Sequence, residues 1–312
     1  MERLGSISID LDTLPHYCRI HGLPEDLLAP AVRERIWTVA LPRLLAAIEA
    51  VGARATLFAI GEDLDDPKAA DALRQAHARG HEIASHSHTH PYALSRLSPE
   101  AIKDELDQAH RAIERVTGAP PVGFRAPGYT LSASLLQAVL ARGYRYDSST
   151  FPAVPYYLAK ALVMGALALL GRPSKAILDR PRVLLAPCDP YRPSADEPYR
   201  RGDAALLELP MAVAPFTRLP FIGTFLTSVP SWVSRMVLAT LSATPFLNLE
   251  LHAVDALGAD DGLPPALLRQ QRDLRISSGL KLARMARIFE LLARRRKLLR
   301  LDQATEFLAR AR

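Results

Sequence analysis

Two aspartates, Asp10 and Asp12, lie at the end of the first strand that the sequence predicts. Because side chains alternate along a strand, both carboxylates face one side, while Leu11 faces the packed side. Two carboxylates so close together repel each other unless a cation or a shared proton lies between them. A polar strand end that enters a loop gives the same pattern, so the two aspartates alone leave both interpretations open.

Four of the nine histidines fall within the ten positions from His81 to His90. His86 and His90 share a face if the chain makes one turn after a strand that ends at Ser85. Zinc binds histidine nitrogens at about 2.0–2.1 Å, so both imidazoles can reach one ion. A single histidine is more often a core residue, but three at alternate positions cannot all be buried and neutral. The cluster therefore predicts a metal site.

Two sets of ligands fit this cluster. His86 and His88 resemble the His-x-His pair of the amidohydrolase barrels, but that pair ends the first strand there and the third strand-like segment here. His86 and His90 fit better together with one of the N-terminal aspartates. This set gives two histidines, one carboxylate and an open position for water, the composition of a catalytic zinc site.

Five motifs resemble, in order, those of the NodB-type polysaccharide deacetylases, carbohydrate esterase family four. They are Asp10-Leu11-Asp12, His86-Ser87-His88-Thr89-His90, Phe124-Arg125-Ala126-Pro127-Gly128-Tyr129, Tyr146-Asp147-Ser148-Ser149 and Leu249-Glu250-Leu251-His252. The complete set in family order makes the resemblance highly specific. It implies an α/β fold, a distorted (β/α)7 barrel, with a metal ion at the carboxyl ends of its strands.

The resemblance also implies which residues bind the ion. Asp12, His86 and His90 would hold zinc or another divalent metal, such as Co²⁺, Ni²⁺ or Fe²⁺. Such an ion lowers the pKa of bound water towards about 7 and polarises a carbonyl group.

The remaining matched residues would carry the proton transfers. Asp10 would be the general base, and His252 would be the general acid that protonates the leaving amine. Arg125 would orient Asp10 and tune its charge, and Asp147 would pair with His252 to keep it protonated. Amide hydrolysis needs these parts, because the water must be activated and an amine is a poor leaving group.

The aspartate motif departs from that of the secreted members of the family, which usually have adjacent aspartates followed by glycine. The spacing resembles a branch with split aspartates, which holds atypical peptidoglycan deacetylases, allantoinase-like enzymes and cyclic imide hydrolases. Residues 299–305 resemble the ending of a deformylase that acts on a lipid-linked aminoarabinose. These departures concern the substrate rather than the chemistry.

The resemblance predicts N-deacetylation or deformylation of an amino sugar that is free, polymeric or lipid-linked. The alternative is ring opening of a small metabolite, such as a cyclic imide or an allantoin-like ureide. A binding protein without activity is disfavoured by Asp10, Arg125 and His252, because binding alone needs neither a base nor an acid.

Short apolar runs alternate with longer amphipathic stretches along most of the chain. Strands are predicted at 5–11, 55–60, 81–85, 122–124, 144–147, 205–209, 247–252 and 297–301. Helices are predicted at 31–51, 67–78, 99–116, 132–142, 230–241, 279–294 and 303–311. The alternation predicts a parallel sheet closed as a barrel. We expect a single domain over residues 1–312, with a proline- and arginine-rich insertion over one rim at 151–203.

The composition is that of a globular protein, with 312 residues, 49% apolar and 23% charged. A disordered or fibrous chain is excluded. The net charge of +6 favours anionic partners in general, but no basic stripe rich in aromatic residues is present, so we expect no nucleic-acid partner. Two cysteines are too few for a disulfide framework.

The N-terminal residues run into a strand pattern without a signal segment, which predicts a cytoplasmic protein. Two apolar stretches, 162–170 and 219–233, either cover the barrel as core or lie on the inner face of a membrane. Basic residues follow the first stretch: Arg172, Lys175, Arg180 and Arg182. The core interpretation is favoured, and peripheral membrane contact and a homo-oligomer are left open.

Overall fold

The computed structural model describes residues 2–169 and 177–310. Its strands are β1 (Leu4–Asp10), β2 (Thr56–Ala59), β3 (Glu82–Ser85), β4 (Gly123–Phe124), β5 (Tyr146–Asp147), β6 (Leu207–Glu208), β7 (Phe246–His252) and β8 (Lys297–Leu298). They form one parallel sheet in the order β6-β5-β4-β3-β2-β1-β7, and β8 pairs with β1. Every predicted strand is present, and the predicted β/α barrel is confirmed.

Helices cover the outside of the sheet. They are α1 (Leu14–His21), α2 (Pro30–Arg33), α3 (Leu41–Glu49), α4 (Pro67–Ala78), α5 (Pro99–Thr117), α6 (Ala133–Ala141), α7 (Val154–Leu169), α8 (Gly223–Ser228), α9 (Ser231–Thr240), α10 (Pro265–Gln270), α11 (Ser278–Ala293) and α12 (Leu301–Arg310). Each predicted helix overlaps at least one of these. The short helices α1, α8 and α10 were not predicted.

The prediction of one continuous helix over 31–51 is wrong for residues 34–40. A five-residue π-helical turn, Ile36–Ala40, separates α2 from α3, and the N–H of Leu41 donates to the carbonyl of Ile36. Pro42 has no N–H to donate to the carbonyl of Thr38, so the regular α-helical pattern cannot continue through it. A one-residue widening of the helix accommodates the proline.

Strand β1 separates the core from the barrel interior. Ile7, Ile9 and Leu11 pack in the main hydrophobic cluster between the sheet and its helices. Ser8 and Asp10 point the other way, and the Ser8 hydroxyl donates to Asn248 Oδ1 at 3.0 Å. The barrel interior is therefore polar, and this alternation brings Asp10 into it.

One end of the barrel is closed by the start of α12. The buried Glu82 carboxylate accepts from the hydroxyls of Thr56 (2.6 Å) and Tyr146 (2.8 Å) and from the N–H of Asp302 (3.1 Å). Burial raises the pKa of Glu82 to about 7. Because this end is sealed, access to the interior is from the carboxyl ends of the strands.

The barrel is distorted between β6 and β7. Among the residues that the structure describes, no strand ladder joins these two strands. The loop after β6 closes the gap, since the N–H of Ala212 donates to the carbonyl of Asn248 at 2.9 Å. The Asn248 amide in turn donates to Ser148 Oγ at 2.9 Å. The predicted distortion therefore lies at one identifiable seam.

The insertion predicted at 151–203 lies between β5 and β6. It contains α7 and a short 3₁₀ helix, Pro181–Leu185, and an antiparallel bridge between Tyr191 and Glu208 returns it to the sheet. Arg172 and Lys175 lie outside the described residues. In the described part of the chain, no helix is long and apolar enough to cross a membrane.

The two apolar stretches, 162–170 and 219–233, differ in how far their side chains are buried. In residues 219–233, Phe221 and Leu226 are fully buried, so the core interpretation is confirmed for 221–227, but Trp232 is 63% exposed. In α7, Leu162 and Leu169 are largely exposed. The core interpretation is therefore wrong for the described part of the first stretch.

Candidate active site

The carboxyl ends of four strands bring together six of the seven predicted site residues. They are Asp10 and Asp12 after β1, His86 and His90 after β3, Arg125 after β4, and His252 at the end of β7. Five of these side chains are buried, and His252 is partly exposed. The exposed edge of His252 gives a solute access to the group of residues.

Asp12, His86 and His90 form a cluster of metal-binding type. Asp12 Oδ1 lies 3.6 Å from His86 Nε2 and 3.4 Å from His90 Nε2. Two ligands held about 2.1 Å from one tetrahedral ion lie about 3.4 Å apart, so these separations fit a shared ion. Asp12 Oδ1 and both ring nitrogens of His90 are buried without a hydrogen-bond partner. Several other buried atoms lack partners too, but these three lie together in one set of metal-binding residues, where a cation would satisfy them.

The backbone that presents the two histidines is a tight loop rather than a helical turn. Ser87 and His90 both have left-handed conformations, with φ of 65° and 55°. The Ser87 hydroxyl accepts from the N–H of His90 at 3.2 Å, and Glu105 accepts from the N–H groups of His88 and Thr89 at 2.9 Å each. These bonds hold a conformation that L-residues seldom adopt.

The protonation of His86 suits metal binding. Its Nδ1 lies 2.8 Å from the carbonyl of Arg125. Because a carbonyl only accepts, Nδ1 carries the proton and the lone pair of Nε2 faces Asp12. Burial lowers the pKa of His86 to about 4 and lowers that of His90 well below its usual value. Both imidazoles are therefore neutral near pH 7.

Asp10 is held as a carboxylate by Arg125. Arg125 Nη1 donates to Asp10 Oδ1 at 2.5 Å, and both side chains are fully buried. Burial alone would raise the pKa of Asp10, but Arg125, with smaller contributions from His86 and His252, lowers it. The guanidinium is fixed by Ser148 and Ser8 and lies over the Phe58 ring. Asp10 Oδ2 faces the Asp12–His86–His90 cluster and lies 3.9 Å from His86 Nε2.

His252 is held as a cation by Glu250. The two side chains are 2.8 Å apart, between His252 Nδ1 and Glu250 Oε1. Burial alone would lower the pKa of His252, but the Glu250 carboxylate raises it well above its usual value. Nε2, which carries the other proton, lies 3.9 Å from Asp12 Oδ2. The site thus places a carboxylate and an imidazolium next to the Asp12–His86–His90 cluster.

A second set of candidate ligands, Asp10, Glu250 and His252, also has its atoms within 4.8 Å of one another. Asp10 already pairs with Arg125 and His252 with Glu250, and of these three residues only Glu250, through Oε2, has a buried atom without a hydrogen-bond partner. The first cluster therefore fits an ion better.

Residues 34–146 match the family model described as polysaccharide deacetylase. Over these residues the chain resembles a polysaccharide deacetylase domain. It is 33% identical over 114 residues to a peptidoglycan deacetylase-like protein of Gibberella zeae, covering 36% of this chain and 32% of that protein. It is 29% identical over 164 residues to a peptidoglycan deacetylase of Helicobacter pylori, covering 50% of this chain and 53% of that protein. The chain thus spans about a third and about half of these curated relatives.

The fold of the chain is similar to that in a crystal structure of a candidate polysaccharide deacetylase from Mycobacterium smegmatis. The TM-score is 0.61 at 17% identity, covering 100% of this chain and 92% of that chain. The family match includes His86, His90 and Arg125, but it ends before His252 and begins after Asp12. The assignment of Asp10, Asp12 and His252 therefore depends on their positions around the matched residues.

The Tyr129 side chain contacts both Asp10 and His252, although it was not singled out from the sequence. Its hydroxyl lies 3.2 Å from His252 Nε2 and 3.3 Å from Asp10 Oδ2 and Glu250 Oε1. It has a φ of 62°, which is uncommon for a bulky residue. Strain of this kind is concentrated at functional sites.

The expected pairing of Asp147 with His252 is wrong. Tyr146 faces the barrel interior, where its hydroxyl reaches Glu82, so the next residue on β5 faces outwards. Asp147 Oδ1 accepts from the Ser149 hydroxyl at 2.6 Å, and Asp147 is paired in the ladder with Glu208. Glu250 provides the carboxylate expected from Asp147. It is two residues before His252, and this spacing on a strand could have identified it.

The Asp147–Glu208 pair should make the domain less stable as pH rises. Burial is the largest cause of the raised pKa of each carboxyl, and Asp147 raises that of Glu208 further. Because the folded pKa values exceed the unfolded values, the stabilising contribution is complete at acidic pH and is lost as pH rises through the folded values. In urea titrations at several pH values, the unfolding free energy of Glu208→Gln should fall less between acidic and alkaline pH than that of the parent. Glu306→Gln, at an exposed position of α12, should show the same pH dependence of unfolding free energy as the parent. The same pH dependence in Glu208→Gln would contradict the assignment of this effect to the Asp147–Glu208 pair.

Proposed function

We propose that the chain is a metal-dependent hydrolase that cleaves the C–N amide bond of an N-acylated amino sugar. The observation that carries this proposal is the Asp12–His86–His90 cluster, in which Asp12 Oδ1 and both ring nitrogens of His90 lack a hydrogen-bond partner, next to an ionised Asp10 and a protonated His252. Hydrolysis of an amide needs a base for the water and an acid for the amine on either side of the reacting carbonyl.

We propose zinc as the resident ion, held by Asp12, His86 and His90. Two histidines and one carboxylate form a donor set of catalytic zinc sites, and Co²⁺, Ni²⁺ or Fe²⁺ can bind the same donors. When bound, the ion supplies Lewis acidity for the carbonyl and lowers the pKa of water.

Asp10 accepts the proton of the attacking water. Its Oδ1 is bound to Arg125, so Oδ2 is the oxygen that takes the proton. Arg125 keeps Asp10 ionised before the reaction and fixes the direction of the carboxylate. This is the orientation that a general base requires.

His252 donates a proton to the leaving nitrogen from Nε2. Glu250 holds the Nδ1 proton and fixes the ring orientation. The N–H of His252 also donates to Asp255 at 2.9 Å, which fixes the backbone at the end of β7. The Tyr129 hydroxyl, within reach of both Asp10 and His252, is positioned to hydrogen-bond the group that reacts between them.

The proposed acyl group is acetyl, because the matched family is that of polysaccharide deacetylases and the two curated relatives are named for peptidoglycan deacetylation. A panel of N-acetylated glycan fragments, N-formyl amino sugars and cyclic imides or ureides, assayed with added zinc, tests this proposal. We expect acetate and an equal amount of free amine from the acetylated sugars. Release of formate alone would show that the acyl group is formyl rather than acetyl. Turnover of only imides or ureides would favour the ring-opening alternative instead.

Removal of the Glu250 charge should move the pH profile. In Glu250→Gln, the pKa of His252 falls, because Glu250 is the main group that raises it. The acid form of His252 is then lost at lower pH, so the alkaline limb of kcat should move to lower pH. Glu306→Gln should leave the limb in place. A limb that does not move in Glu250→Gln would show that His252 is not the acid.

A further inference from the structure

Helix α7 (Val154–Leu169) is apolar and largely uncovered. Lys160 is the only charged residue among its 16 residues. None of its residues whose burial is described is buried. A helix that is apolar around its circumference is ordinarily covered by protein or by lipid. Residues 2–169 and 177–310 cover this helix only in part, on the side of Tyr157, and leave Leu158, Leu162 and Leu169 exposed.

The exposed leucines of α7 share one face. Leu158, Leu162 and Leu169 are 59%, 75% and 92% exposed. They are separated by four and seven residues, which brings them onto one side of a helix. Exposed apolar side chains that occur singly need no explanation, but a continuous row of them indicates a contact surface.

Two further apolar side chains extend this surface. Leu185 is 82% exposed and Phe216 is 104% exposed. Their segments are joined by Arg218, whose Nη1 donates to the carbonyl of Ala186 at 3.2 Å. Helix α7 is tied to the same segment, because the Tyr157 hydroxyl donates to the carbonyl of Asp179 at 2.8 Å. We name Leu158, Leu162, Leu169, Leu185 and Phe216 the rim patch.

The charge around the rim patch identifies its partner. The described segments that carry the rim patch, 154–169, 177–185 and 214–219, contain four basic residues (Lys160, Arg180, Arg182 and Arg218) and one acidic residue, Asp179. Arg182 also pairs with Glu197. Anionic lipid headgroups attract such a segment. In a twofold dimer the same surface meets itself, so these cations would face cations of the second copy. The excess of positive charge therefore favours an anionic bilayer over a second copy of the chain.

We propose that the rim patch is a docking surface for an anionic lipid bilayer. Its apolar side chains would insert among the acyl chains, and the basic residues would contact the headgroups. Docking would place the active-site rim at the headgroups, because α7 starts beside the site. The Phe151 ring contacts Tyr156 of α7 and Tyr129 of the site, with centroid distances of 5.1 and 5.7 Å.

Flotation of the full chain with vesicles tests this proposal. We expect the parent to float with vesicles of phosphatidylglycerol and phosphatidylethanolamine, and much less with phosphatidylcholine alone. Leu158→Glu/Leu162→Glu should reduce the floated fraction by about tenfold or more, because the insertion of apolar area is lost. These positions are exposed, so the fold should survive, which circular dichroism checks.

The matched control is Leu27→Glu/Leu280→Glu, at leucines that are 42% and 47% exposed and lie outside the rim patch. It should float as the parent does. The proposal is overturned if the parent does not float, if it floats equally with both lipids, or if Leu158→Glu/Leu162→Glu floats like the parent. It is also overturned if light scattering shows a dimer that this variant dissociates and vesicles do not bind the parent.

Discussion

Asp10→Asn should reduce kcat by about 10²–10⁴-fold while the protein retains its metal ion. The amide has nearly the shape of the carboxylate but cannot accept the proton of water. Asp10 pairs with Arg125 and is not one of the three proposed metal ligands, so the metal content should stay near that of the parent. Removal of the charge leaves Arg125 buried without its counterion, which costs about 3–5 kcal/mol of stability. Activity is therefore compared at a temperature where both proteins are folded.

Asp147→Asn is the matched control, because it makes the same change at another buried aspartate of the predicted motif set. Asp147 faces Glu208 outside the barrel, so this variant should keep kcat within a few-fold of the parent. Parent-like activity in Asp10→Asn would contradict its role as base. A loss in Asp147→Asn as large as that in Asp10→Asn would restore the catalytic role that the structure denies to Asp147.

His86→Ala and His90→Ala should each lose the metal ion and with it nearly all activity. Each removes one of three ligands, and the two that remain do not complete a catalytic zinc site. Metal content measured by plasma mass spectrometry after dialysis should fall from about one ion per chain to near zero. Both side chains are neutral and buried, so the substitution itself removes no charge from the interior.

His88→Ala is the control within the same loop. The described contacts of His88 include its backbone N–H with Glu105, and its side chain is not part of the metal cluster. This variant should retain both the ion and the activity. Loss of metal in His88→Ala, with retention in His90→Ala, would instead favour the His-x-His arrangement of the amidohydrolase barrels.

Local patterns predicted the parts of the site that depend on strand geometry. The alternation along β1 predicted that Asp10 and Asp12 share a face, and the alternation of short apolar runs with amphipathic stretches predicted every strand. The meeting of His86 and His90 was also predicted. The loop that joins them depends on left-handed residues at Ser87 and His90, which are held by Glu105 from α5. Such tertiary support cannot be read from local spacing.

The error at Asp147 has a different origin. Matching a motif by its order along the chain gives the strand to which a residue belongs, but not the face on which it lies. Strand β5 has two residues, and the one that faces the interior is Tyr146. On β7, by contrast, the period of two places Glu250 beside His252, so the true partner of the acid was available from the sequence.

Asp12, His86 and His90 are proposed to hold one divalent ion next to Asp10 and His252. Anomalous diffraction at the zinc edge, from crystals grown with zinc, tests this claim. We predict one anomalous peak, about 2.0–2.2 Å from an Asp12 oxygen and from Nε2 of both histidines. A peak among Asp10, Glu250 and His252 instead, or no peak within the barrel, would contradict the claim.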